Sequence, residues 1–254
     1  MSNPVDWNTN WWKENKAMRL DRPAAKSRGT GTTAPGDSFL IVTEGTVTEP
    51  IYFQLLQADL QLPAVRVKVM PGKASDPRHV IRTAADEKKE HARRERKRLL
   101  GFSEPSRFDH VWAVVDSDVA VRNGIWNDVV QLASSNKVEL AHSTPCFEFW
   151  LLLHLRYTTR SDLRDGATAK SAFKHEFGED YGTSVDVARN AFESIIGKWP
   201  NAVIHGERVR QHHLSAATPA PANPSTEVDR LVRALNDSAP SHLRKKLPPF
   251  PTAP

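Results

Sequence analysis

From Ser38 onward the chain alternates short apolar runs with longer amphipathic stretches. Phe39-Leu40-Ile41-Val42-Thr43 is a continuous apolar run of strand length that stops at Glu44-Gly45. Behind it, Ile51, Tyr52, Leu55, Leu56 and Leu60 recur at helical spacing. Val65 to Met70 alternates as a strand and ends at Pro71-Gly72. Residues 77–100 read as a long charged helix with a sparse apolar stripe of Val80, Ile81, Ala84, Ala85 and Leu99. His110 to Val115 is the most hydrophobic strand candidate and runs into Asp116-Ser117-Asp118. A helix around 124–135 and a short strand at 138–142 follow. Strands spaced by helices imply parallel pairing with helices on both faces. The expected fold is therefore α/β: a mainly parallel sheet of about four strands sandwiched by helices, with extra C-terminal helices. Such sheets place ligands at the carboxyl ends of their strands.

The flanks read differently. Residues 1–37 hold Trp7, Trp11 and Trp12 among Asn, Lys and Arg with no sustained period, and are expected to form a basic mobile arm. Residues 38–205 are expected to form the α/β domain with a helical extension, in which 168–177 and 184–197 are helix candidates and Trp199-Pro200 reads as a stop. Residues 206–254 are expected to hold a Pro-rich linker over 215–224, a short helix begun at Asn223-Pro224-Ser225-Thr226-Glu227, and a tail.

Composition narrows the class. The 254 residues contain one cysteine, Cys146, which excludes an intrachain disulfide and a multi-cysteine metal site. No apolar run approaches the roughly 20 residues a membrane span needs, and the opening Met1-Ser2-Asn3-Pro4 lacks a secretory pattern, so a cytoplasmic protein without membrane attachment is expected. The net charge of +5 is unevenly spread: 78–98 carries nine basic against four acidic residues, both flanks are net basic, and the remainder is net acidic. Basic appendages on an acidic body suit a polyanion partner with something cationic at the centre, and equally suit a solvated helix face between two tails.

The acids carry the chemistry. Glu44 follows the first strand, and Asp116 and Asp118 follow the third, two apart and hence, as in a strand, on one side, so both can reach one ion. Three carboxylates at neighbouring strand ends suit magnesium or manganese, and an ion held there would serve phosphodiester hydrolysis. The competing reading of Asp-x-Asp is turn and helix-cap chemistry. Glu49 fits a helix start, with Thr46 or Thr48, as well as a catalytic role. Glu148, among Phe147, Phe149 and Trp150, needs either an ion or a buried partner such as Arg156. Lys73 is a candidate phosphate contact, and Asp76 a secondary acid whose alternative is capping the helix that Pro77 opens. Arg93, Arg94 and Lys97 are candidate nucleic-acid contacts. His154 reads as a satisfied core histidine, and His205, His212 and His213 lack zinc spacing.

Two resemblances follow from these residues. Glu44-Gly45 after strand one, a βαβ unit, and Asp116-x-Asp118 after strand three resemble a Toprim domain over residues 38–142. Phe39 to Phe53, Ser143-Thr144-Pro145-Cys146-Phe147-Glu148 through His154, and Asn223-Pro224-Ser225-Thr226 resemble three hallmarks of RloB-like proteins, together spanning 39–235. The resemblance implies a bacterial protein often encoded beside restriction–modification or phage-defence genes, with a Toprim-like nuclease site. Glu44, Asp116 and Asp118 would be its metal acids and Glu148 a fourth. The family often has a further charged residue after Asp-x-Asp, whereas Val119-Ala120-Val121 is apolar here until Arg122, which leaves a second metal open.

The leading expectation is a Mg²⁺- or Mn²⁺-dependent nuclease acting on DNA or RNA in abortive infection, with an ATPase encoded alongside as a candidate partner and a homo-oligomer left open. The alternative is a non-catalytic nucleic-acid or nucleotide-binding sensor subunit. A topoisomerase or primase fragment is disfavoured, because Tyr52, Tyr157 and Tyr181 lie inside or just after the Toprim-like region and the cysteines for a zinc domain are missing.

Overall fold

The structure, a computed structural model, describes residues 37–63, 67–72, 76–97, 99, 107–178, 181–182 and 184–249. The arm up to residue 36, with its three tryptophans, lies outside the described residues, as does Lys73.

The elements run β1 (Phe39–Thr43), α1 (Thr48–Asp59), β2 (Val67–Pro71), α2 (Pro77–Arg96), β3 (His110–Asp116), α3 (Asp118–Arg122), α4 (Trp126–Asn136), β4 (Glu139–Thr144), α5 (Phe147–Leu155), α6 (Gly166–Phe177), α7 (Val185–Ile195), a 3₁₀ turn (Ile196–Lys198), α8 (Trp199–Ser215), β5 (Ser225–Thr226) and α9 (Val228–Asp237). The α/β reading holds, with five strands in the order β2-β1-β3-β4-β5. The first four are parallel, and β5 joins β4 antiparallel. This architecture is consistent with a Toprim-like fold.

The period-2 alternation of the strands divides the core in two. Phe39, Ile41, Trp112 and Val114 face one layer, packed by α1 and α5 to α9. Leu40, Val42, Val111, Ala113 and Val115 face the other, packed by α2 and α4. A strand buried on both faces reads as a continuous apolar run, which is why β1 and β3 were so clear in the sequence. The crossover helices explain where a ligand would sit. From β1 the chain crosses through α1 on one face to β2, then returns through α2 on the opposite face to β3 on the far side of β1. The strand order thus reverses between β1 and β3, the point at which α/β sheets form their ligand crevice, outside the carboxyl ends of the strands.

Several boundaries differ from expectation for physical reasons. The expected strand at 138–142 extends to Thr144, whose hydroxyl bonds Ser117 Oγ at 2.6 Å, and α5 starts at Phe147. The helix expected around 124–135 is α4, and the short helix α3 precedes it, with Gly124 at φ +69° in the connection. Trp199-Pro200 opens α8 instead of ending the fold. Proline is tolerated in a first turn, and Trp199 is fully buried with its Nε1 donating to Asp59 at 2.9 Å. Asn223-Pro224-Ser225-Thr226 contributes the edge strand β5 before α9, with Thr226 Oγ1 accepting from the Val228 amide at 3.2 Å. The expected division at 205/206 falls inside α8, and Val209, Val228, Leu231, Val232 and Leu235 belong to the same core as β1.

Candidate active site

Four helices begin at the carboxyl edge of the sheet, each following its strand, so their backbone N–H groups face the crevice. Three buried or half-buried carboxylates answer them. Glu44, directly after β1, accepts the Asp116 amide through Oε2 at 3.0 Å. Asp116, the last residue of β3, accepts the Phe147 amide at the start of α5 through Oδ1 at 2.9 Å. Glu49, in the first turn of α1, accepts the Gly45 amide through Oε1 at 2.9 Å. Each carboxylate is held by one oxygen, and Glu44 Oε1 and Asp116 Oδ2 have no partner among the described residues.

Gly45 is dictated by this packing. A Cβ there would lie 2.0 Å from Glu49 Oε2, so the Glu44-Gly45 pair is a close approach of backbone to a carboxylate. Glu49 thus has a structural role at the helix start, although through Gly45 and not through Thr46 or Thr48.

Negative charge accumulates here, with Lys170 acting against it at Glu49. Burial pushes the Glu44 carboxyl up to about 8 against the lowering bond from Asp116, and the charges of Glu49, Asp118 and Asp76 add to the rise. Burial pushes Glu49 up to about 7. Asp116 rises well above the ordinary carboxylate range, first through burial and then through Glu49, Glu44, Glu148 and Asp118.

Asp118 sits elsewhere than the two-residue spacing implied. The strand ends at Asp116, and Asp118 is the first residue of α3, with its Oδ1 accepting the Val119 amide at 2.6 Å. Its charge nevertheless reaches Glu44 and Asp116. Asp76 is the N-cap of α2, accepting the Arg78 amide at 2.8 Å and paired with the Arg78 guanidinium at 2.7 Å, which holds its carboxyl below the usual range.

Glu148 is buried in the first turn of α5 and does not meet Arg156, which pairs with Glu176 at 3.0 Å. Its partners are the Cys146 thiol, donating at 3.0 Å, the Tyr181 hydroxyl, donating at 3.1 Å, and Lys170 Nζ at 3.8 Å. Lys170 and Tyr181 escaped the sequence reading, because both follow Leu155, where the apolar periodicity weakens. His154 is the satisfied core histidine expected. Its ring lies 3.1 Å from both the Tyr52 hydroxyl and the Trp150 carbonyl, and burial lowers it to about 4.

Arg93, Arg94 and Lys97 stand apart from these acids. Asp76 marks the end of α2 at the site, and at 1.5 Å per residue the three cations lie about 25–30 Å further along its axis. There His91 stacks near Phe108, ahead of the amino end of β3, with ring centroids 4.3 Å apart.

The donor set is entirely carboxylate oxygen, raised in affinity for protons by burial and mutual repulsion. A hard divalent cation such as Mg²⁺ or Mn²⁺ relieves that repulsion, so the residues fit one chemically. Among the described residues no group of three or more His, Cys, Asp or Glu side chains is closed into a ligating shell.

Residues 39–235 match the family model described as RloB-like protein. No curated protein and no solved structure matches the chain. No helix among the described residues is long and apolar enough to cross a membrane.

Proposed function

The chain belongs to the RloB-like family, and from that premise we propose that it is a Mg²⁺- or Mn²⁺-dependent nuclease that hydrolyses DNA or RNA phosphodiesters. The observation that carries the reading is the pair Glu44 and Asp116, each with one oxygen anchored on a backbone amide and the other without a partner among the described residues, at the point where the strand order reverses. A bound divalent ion would supply positive charge for a phosphate oxygen and for the leaving oxygen. Asp116 and Asp118 would hold the ion. Glu44, whose carboxyl is pushed up to about 8, is suited to take a proton from an attacking water at Oε1, because a base is most effective when its pKa lies near the working pH. The α2 cations beyond the crevice would meet backbone phosphates outside it, adding binding and not chemistry. The family setting supports a role in anti-phage defence in the cytoplasm, with an ATPase encoded alongside as the partner.

A non-catalytic nucleic-acid or nucleotide-binding subunit is the second reading. It draws on the same amide bonds, which give the acids a structural task. One panel separates the two. Purified protein is incubated with single- and double-stranded DNA, messenger RNA and transfer RNA, with and without Mg²⁺ or Mn²⁺. Asp116→Asn, which keeps the acceptor for Phe147, is expected to lose at least about 10³-fold in turnover. Equal inertness of both proteins, with salt-dependent binding retained, overturns the enzyme reading.

A further inference from the structure

Glu148 and Lys170 carry a step beyond the acid cluster. Both Glu148 oxygens already receive protein donors: Cys146 Sγ on Oε2 at 3.0 Å and the Tyr181 hydroxyl on Oε1 at 3.1 Å. Its side chain is 5% exposed, so these bonds fix its direction and leave it poorly placed to turn towards an ion. The third neighbour is different in kind. Lys170 Nζ lies 3.8 Å from Oε1, too far for a hydrogen bond, and its side chain is 53% exposed. Lys170 belongs to α6, which packs against α5, and its charge acts on Glu148, Cys146, Asp116 and Glu49 together. A half-exposed ammonium beside the acids remains accessible to an incoming anionic ligand.

We propose that Lys170 contacts the substrate phosphodiester at this site, and that Glu148, oriented by Cys146 and Tyr181, is the residue that positions it and not a fourth metal acid. The proposal rests on the nuclease reading for the identity of the substrate. An ammonium is a compact point charge suited to a phosphate oxygen. Among the described residues Lys170 is held by Coulomb attraction without a hydrogen bond, so it can transfer to the phosphate without breaking one. Glu148 then keeps its hydrogen bonds from Cys146 and Tyr181.

The test uses the full chain with Lys170→Ala, Lys170→Arg, Glu148→Gln and the double variant Lys170→Ala with Glu148→Gln. Binding of a DNA or RNA oligonucleotide is measured in Ca²⁺ as a function of salt, cleavage in Mg²⁺, and folding by thermal melting. Lys170→Ala is expected to melt as wild type, to lose about 10- to 10³-fold in kcat/KM, and to lower the salt slope of binding by about one phosphate contact. Lys170→Arg should recover most of that loss. Glu148→Gln should reduce kcat/KM alone but add little in the Lys170→Ala background, since its effect passes through Lys170. Unchanged binding and cleavage in Lys170→Ala, or Glu148→Gln and Lys170→Ala losses that simply add, overturns the proposal. If no protein cleaves any substrate yet Lys170→Ala still lowers the salt slope, the phosphate contact stands and the nuclease reading falls.

Discussion

Two regions of this molecule bury carboxylates, and they are resolved in opposite ways. Between α8 and α9, Asp229 is fully buried and receives both bonds from the Arg210 guanidinium, at 2.6 and 2.7 Å, while Glu207 pairs with the same arginine. Burial still pushes Asp229 up to about 6, but Arg210 pulls the other way. The helices are brought close by Gly206, where a Cβ would stand 3.2 Å from Asp229 Cβ. At the carboxyl edge of the sheet, Glu44, Glu49 and Asp116 each accept a backbone amide and have no guanidinium partner among the described residues. The first group is a closed ion-pair network that locks two helices together. The second is left short of positive charge, the condition expected of a place where a cationic ligand completes the structure.

The sharpest way to break this contrast is to remove one group from each region. Arg210→Met leaves Asp229 and Glu207 without their countercharge and should cost about 3–5 kcal/mol, read as a fall of roughly 10 °C in the melting temperature of a domain this size. Asp116→Asn should instead leave the metal-free melting temperature unchanged or raised, because it removes a repelled charge and keeps an acceptor for the Phe147 amide. A fall comparable to that of Arg210→Met would make the two regions alike.

The pH dependence follows with a definite sign. Glu44, raised from 4.5 to about 8, and Glu49, raised to about 7, favour their protonated forms in the folded state. Their contribution is fully present below about pH 4.5 and is lost as pH rises towards 8. Metal-free protein should therefore lose on the order of 2–4 kcal/mol across that range, Mg²⁺ should restore most of it at pH 8, and Glu44→Gln should flatten the slope. Thermal melts at stepped pH, with and without Mg²⁺, decide this, and a flat metal-free profile for wild type would contradict it.

Gly45→Ala probes the anchoring more gently. Its methyl group displaces the Glu49 carboxylate and breaks a charge-assisted bond to the amide, an expected loss of about 1–3 kcal/mol, with Arg210 and its partners undisturbed. Chemical denaturation of the variant measures it.

The smallest effect is expected at the far end of α2. The double variant Arg93→Ala with Lys97→Ala touches exposed cations, one of them in a surface pair with Glu90. It should change stability by less than about 0.5 kcal/mol. It should weaken nucleic-acid binding mainly at low salt, leaving turnover at saturating substrate unaltered. A large drop in saturated turnover would place those cations in the chemistry.

How much was legible in the sequence varies along the chain for identifiable reasons. The strands β1 and β3 stood out because burial on both faces leaves only Thr43 in β1 and the end residues His110 and Asp116 in β3 polar. The order of acids on those strands was therefore also readable, and so was the crevice. Asp118 was misplaced because a spacing of two has meaning only while the strand continues, and Ser117 turns the chain into α3. The partner of Glu148 was missed because the chain supplies it from α6, 22 positions later, by a packing that no local period encodes. Arg156 looked the natural candidate in sequence, but Glu176 engages it. The α8 start was hidden by Pro200, which reads as a breaker unless the helix is known to begin beside it.

The two-residue strand β5 has a further effect. A sheet edge is a template for pairing with another chain unless something blunts it. On one side Ser225–Thr226 covers the end of β4 with a segment too short to recruit a neighbour, and Pro224 precedes it. On the other, β2 ends in Pro71 and carries Lys68, bonded to Glu87 at 2.6 Å. With both margins guarded in this way, the sheet is poorly disposed to grow by adding strands from a second molecule. Self-association of this domain would then proceed through its helical faces, leaving the crevice at the strand ends open.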